Sequence, residues 1–154
     1  MPDASRRATL ANLMSRQRWD QLRRSVYRKA HYRCQICGSA GRMYCHEVWY
    51  FNEQTSYQHL MGFKCLCEAC HKMKHIFFVR DSQQRAILFQ HFLTVNRMTR
   101  EQGLEHLQEV YRQQQRLNQK EWTVNYGVYN CQIPSTANVQ QRRSYARFNH
   151  PRYR

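Results

Sequence analysis

Apolar residues in the amino-terminal third recur at helical spacing. Trp19, Leu22, Val26 and Ala30 alternate with Arg16, Arg18, Arg23, Arg24 and Arg28, which predicts an amphipathic helix with a basic outer face, capped by Ser15. From Arg42 to Phe51 the pattern turns aromatic and β-favouring, which predicts a strand or hairpin. A helix is expected to begin near Cys67. Asp81 with Gln84 reads as a capping box opening a helix through Ile87, Phe89, Phe92 and Leu93, and Thr99 with Gln102 opens another carrying Leu104, Leu107, Tyr111 and Leu117. Trp122 to Tyr129 reads as a short strand.

The 154 residues suit one domain with additional arms. The expected division is a flexible arm over 1–14, a core with its leading basic helix over 15–80, a helical extension over 81–130 and a basic tail over 131–154. No internal repeat is present. The longest compact apolar run, Ile76 to Val79, is too short to span a bilayer, and Met1 to Arg18 lacks an apolar signal stretch. These features predict no membrane partner and a cytoplasmic, nucleoid-associated location.

Charge narrows the partner. Lys and Arg total 25 against 10 acidic residues, a net +15 at pH 7, and the segment from Gln141 to Arg154 holds five arginines and no acid. A field of that size favours a polyanion, with nucleic acid the leading candidate. Charge alone does not distinguish a DNA partner from an RNA-protein particle.

Chemistry concentrates between Cys34 and His75, which hold six of the seven cysteines. Cys34 and Cys37 form one Cys-x-x-Cys pair, Cys67 and Cys70 another, and two such pairs complete a tetrahedral zinc site. Disulfides are disfavoured because nothing indicates secretion, and a redox pair is disfavoured without a βαβ context. Cys65 is expected in the core and Cys131 as an incidental thiol.

Within this frame lie Cys45, His46 and Glu47 on the expected strand, and His71 and His75 four residues apart on the expected helix. That spacing puts both imidazoles on one face. Two imidazoles holding an ion leave positions open for water and phosphate, and a further unligated histidine supplies a base near neutral pH. A His-x-x-x-His pair taken alone is often only polar surface, and Lys72 and Lys74 beside it serve equally as phosphate contacts.

The stretch from Trp19 to His75, a helix, Cys34-x-x-Cys37-Gly38, a His-bearing strand and Leu66-Cys67-x-x-Cys70-His71-x-x-x-His75, resembles the HNH endonuclease family in its cysteine-flanked form. The resemblance implies an α+β fold, with a small ββα-metal core stapled by a four-cysteine zinc site, flanked by α-helices and a basic carboxyl-terminal tail. It implies a metal-dependent endonuclease that hydrolyses DNA phosphodiester bonds and leaves 5′-phosphate ends. His71 and His75 then correspond to metal ligands, with Cys45 at a position where the family has a His or Asp ligand, and His46 corresponds to the general base. In a second register His46 is the third ligand and Glu47 the base. The catalytic ion is Mg2+, Mn2+, Ni2+ or Zn2+; a Cys45 ligand favours the softer ions.

Arg23, Arg24, Arg28, Lys64, Lys72, Lys74, Arg142 and Arg143 are the expected phosphate contacts. Delivery by a larger nucleoprotein complex fits a chain with few specificity elements. One departure is the missing middle Asn: Met61 and Gly62 occupy its neighbourhood, and Gln58, His59 or packing by Trp49 and Tyr50 are the candidate substitutes. That departure sets the alternative, a catalytically inactive HNH-like zinc module binding nucleic acid or a nucleoprotein partner.

Overall fold

The computed structural model describes residues 9–133. A short helix α1 (Leu10–Leu13) precedes α2 (Arg16–Lys29). Strand β1 (Met43–Asn52) turns into β2 (Tyr57–Cys67), which runs directly into α3 (Glu68–Met73). A 3₁₀ turn (Ile76–Phe78) leads to α4 (Ser82–Asn96) and α5 (Arg100–Asn118), followed by β3 (Thr123–Asn125) and a last 3₁₀ segment (Gly127–Gln132). The chain is mixed α and β, with one three-stranded sheet ordered β1-β2-β3 among the described residues. None of the described helices is long and apolar enough to cross a membrane.

Local chemistry sets these boundaries. Arg18 donates its amide to Ser15 Oγ at 3.4 Å, capping α2 as expected. The β1–β2 turn closes on Asn52, whose Oδ1 accepts from the amides of Gln54 at 3.0 Å and Thr55 at 3.1 Å. Asp81 accepts from the Gln84 amide at the start of α4. At α5 the capping box is reciprocal: Gln102 N donates to Thr99 Oγ1 at 3.3 Å, and Thr99 N donates to Gln102 Oε1 at 2.9 Å.

The described residues divide into two compact units interleaved along the chain, unlike the linear division expected from sequence. The first gathers 9–20, 47–62 and 113–133. Its core is aromatic: Trp49 meets Tyr126 edge to face, Phe51 meets Trp122 likewise, and Trp122 Nε1 donates to Leu117 O at 2.8 Å. Here β3 pairs parallel to β2, Tyr57 with Thr123 and His59 with Asn125. Gln58 is fully buried between them, and its amide atoms have no hydrogen-bond partner among the described residues.

The second unit holds 21–46 and 63–112. Its α3 packs on α4, and α4 buries Leu88 and Leu93 while Ile87 stays 63% exposed. The stripe expected on α5 is likewise only partly covered, with Leu104 and Tyr111 exposed. Helix α4 is apolar on more than one side, and the α5 contact falls on Gly103 instead. A Cβ there would overlap Leu93 Cδ2 and lie 3.0 Å from Phe89 Cζ.

A mid-helix Gly costs about 1 kcal/mol relative to Ala, and at Gly103 the missing side chain is what admits this close approach. Gly103→Ala is expected to lose about 1–3 kcal/mol in urea unfolding through overpacking. A variant more stable than the native chain, as helix propensity alone dictates, would show that α4 and α5 do not meet this closely.

Candidate metal centres

The first cysteine pair lies on a tight turn. Gly38 N donates to Cys34 O at 2.9 Å, Cys34 N donates to Ser39 O at 2.9 Å, and Gly38 adopts φ +75°, a conformation suited to Gly. The second pair opens α3: Cys67 is the N-cap, its sulfur accepting from the Cys70 amide at 3.5 Å. The loop is tied to β2 by a two-way bond, Gln35 N to Cys65 O at 2.9 Å and Cys65 N to Gln35 Oε1 at 2.8 Å. Cys65 is fully buried there, as expected, while Cys131 is exposed.

These turns bring the sulfurs of Cys34, Cys37, Cys67 and Cys70 within 4.8 Å of one another, with Cys37 and Cys67 3.6 Å apart. A tetrahedral ion with metal–sulfur bonds of about 2.3 Å sets its sulfurs about 3.8 Å apart, so the donor set fits one metal ion. Burial opposes ionisation of Cys34, but hydrogen bonding from the backbone of Cys37, Cys67 and Ile36 outweighs it and brings the thiol down to about 6. Burial and the neighbouring thiols push Cys70 up. One negative sulfur thus resists the next, an opposition that a divalent cation removes.

His91 of α4 reaches the same cluster, its Nε2 3.2 Å from Cys70 Sγ. An imidazole N–H beside a metal thiolate donates to it, drawing off negative charge and holding the ligand in place. No sequence motif marks this contact, because His91 lies 21 residues beyond Cys70 and meets it only through the packing of α4 on α3.

The second cluster begins one residue on. His46 from β1 and His71 and His75 from the α3 segment bring ring nitrogens within 4.8 Å of one another. Their ring centroids are 5.0 to 5.4 Å apart, each pair edge to face. Burial, then the nearby His75 and His71, push His46 down to about 3, and burial lowers His71. Neutral rings keep a lone pair for a metal or a proton. Tyr44, which no sequence pattern singles out, stacks on His71 at 4.9 Å and 9°, and Arg42 lies over the Tyr44 ring at 5.5 Å.

Other expected site residues fall elsewhere. Cys45 does not belong to the histidine cluster; it neighbours Tyr27, whose hydroxyl is raised by burial first and by Cys45 among lesser causes. Alternation along β1 turns Cys45 away from His46. Glu47 is buried in the first unit, where its Oε1 accepts from the Leu10 amide at 2.6 Å. That bond ties the start of α1 to β1. Arg24, Arg28, Lys64 and Lys74 are exposed in the second unit, Arg23 is half-buried, and Lys72 pairs with Glu68 at 2.7 Å. Arg142 and Arg143 lie outside the described residues.

His91→Phe, which keeps the ring and removes the donor, is expected to speed metal loss to a chelator by roughly 10- to 100-fold; an unchanged rate would leave the Cys70 contact without effect. Burial pushes the Glu47 carboxyl up to about 7 from 4.5 against the pull of the Leu10 amide. Its contribution is therefore full below about 4.5 and lost as pH rises through about 7. Glu47→Gln should abolish that loss, gaining stability relative to the native chain between pH values of about 5 and 8 in urea unfolding; parallel profiles would contradict it. Compared with known protein families, curated proteins and solved structures, the chain matches none.

Proposed function

We propose that this chain is a metal-dependent DNA endonuclease of the HNH type, in which a zinc-held cysteine cluster positions a histidine centre that hydrolyses phosphodiester bonds. One observation carries the reading: three imidazoles converge on the β1-β2-α3 succession, joined to the four-cysteine cluster by the Cys70–His71 peptide bond. Four thiolates in a tetrahedral set suit zinc. Two imidazoles, His71 and His75, with no thiolate suit a harder or borderline divalent ion.

His71 and His75 would hold the catalytic ion. The chemistry supplied by a bound divalent ion is Lewis acidity toward the scissile phosphate and the departing 3′ oxygen. His46, neutral and facing both ligands, takes the proton of the attacking water on a ring nitrogen. Tyr44 keeps the His71 ring in plane by stacking. Glu47 takes no part, because its carboxyl group is engaged by Leu10. Lys74, Lys64, Arg24 and Arg28 neutralise flanking phosphates, and the +15 charge draws DNA to the protein. The setting is cytoplasmic and nucleoid-associated, with DNA met either freely or within a larger nucleoprotein complex.

Supercoiled plasmid incubated with the zinc-loaded protein and Mg2+, Mn2+ or Ni2+ is expected to be nicked. Chelator should stop the reaction, and His46→Ala should slow it by about 100-fold or more while leaving the fold intact. Plasmid bound but uncut under every ion would contradict the proposal and favour a non-catalytic zinc module, the reading suggested by the missing Asn.

A further inference from the structure

The outer surface of the hairpin in the first unit carries a row of three rings that neither cluster uses. His59 lies between two tyrosines, 5.7 Å from Tyr57 at an interplanar angle of 22°, and 6.3 Å from Tyr50 at 30°. Tyr50 is 54% exposed, Tyr57 is 41% exposed, and Met61, which alternation puts on the same side as Tyr57 and His59, is 65% exposed. The opposite side of the hairpin is the packed one, with Trp49 against Tyr126 and Phe51 against Trp122. Core packing therefore does not account for the outer rings.

Charge indicates what they meet. The hairpin has two carboxylates: Glu47 is buried, and Glu53 is engaged by Arg116 at 3.3 Å and Lys120 at 3.7 Å. The face thus sets no uncompensated negative group against a phosphate backbone, in a chain with net charge +15. A row of rings ending on exposed tyrosines, one pair stacked and one tilted, leaves π-faces for a further ring. A duplex keeps its base faces stacked inside, whereas an unpaired strand offers them.

We propose that Tyr50, His59 and Tyr57 form a stacking platform for the unpaired bases of single-stranded DNA, so that the nucleic acid engaged by this protein includes an unpaired segment. The inference rests on the proposed function for the identity of the partner as DNA. Bases continue the ring stack at Tyr50 and Tyr57, and Met61 provides apolar contact beside them.

The test uses the full zinc-loaded chain carrying His46→Ala, so that binding is measured without cutting, by fluorescence anisotropy with a labelled oligothymidylate and with a fully paired blunt duplex. Tyr50→Ala and Tyr57→Ala are expected to weaken oligothymidylate binding on the order of tenfold each, with duplex binding unchanged. Tyr50→Phe and Tyr57→Phe should retain affinity, since stacking needs the ring and not the hydroxyl. Photocrosslinking of the oligothymidylate should map to the residues of the stack. Equal losses for duplex and single strand, or no loss for either, would overturn the platform. So would a dimer that dissociates on Tyr50→Ala, which would assign the face to a second copy. Plasmid nicking that survives these failures would leave the proposed nuclease in place without the platform, and oligothymidylate binding without nicking would do the reverse.

Discussion

The second unit depends on crowding four cysteine sulfurs within 4.8 Å of one another in a partly buried setting. Four such groups cannot all ionise side by side, and the opposed shifts of Cys34 and Cys70 express that conflict. A divalent ion would turn the conflict into attraction and would couple metal binding to the folding of this region. The elements held together are the turn after α2, the end of β2 and the start of α3. Bonding between Gln35 and Cys65 makes the same connection from the side.

The position of His71 and His75 follows from that connection. Helix α3 has only six residues, too few to be stable alone, and its first turn is held by Cys67 and Cys70. The histidines beyond inherit their direction from this anchor and from α4, which contacts the cluster through His91. His46 arrives independently on β1, and burial keeps its ring neutral where a solvated imidazole would titrate near neutral pH. Two histidines held in this way face a neutral imidazole.

Much of this frame is legible in the chain. Both Cys-x-x-Cys pairs, the His71 and His75 spacing, and the caps at Ser15, Asp81 and Thr99 are local signals, each the product of chemistry within a few residues. Contacts made by tertiary packing are not legible. Tyr44 on His71, His91 on Cys70 and the parallel pairing of β2 with a strand beyond three α-helices join positions with no fixed sequence offset. Glu47 shows the converse: its sequence neighbourhood suggests a base, but strand alternation carries it to the face opposite His46 and into a bond with Leu10. Gly103 reads as a weak point in a helix until the side chains of Phe89 and Leu93 are seen against it.

The division of labour between a holding cluster and a working cluster is tested most directly by counting metal ions per chain by elemental mass spectrometry after loading with zinc and manganese. Two ions are expected for the native chain, two for His46→Ala and one for His71→Ala with His75→Ala, the remaining ion being zinc. A single ion in the native chain, or loss of the second ion in His46→Ala, would contradict it.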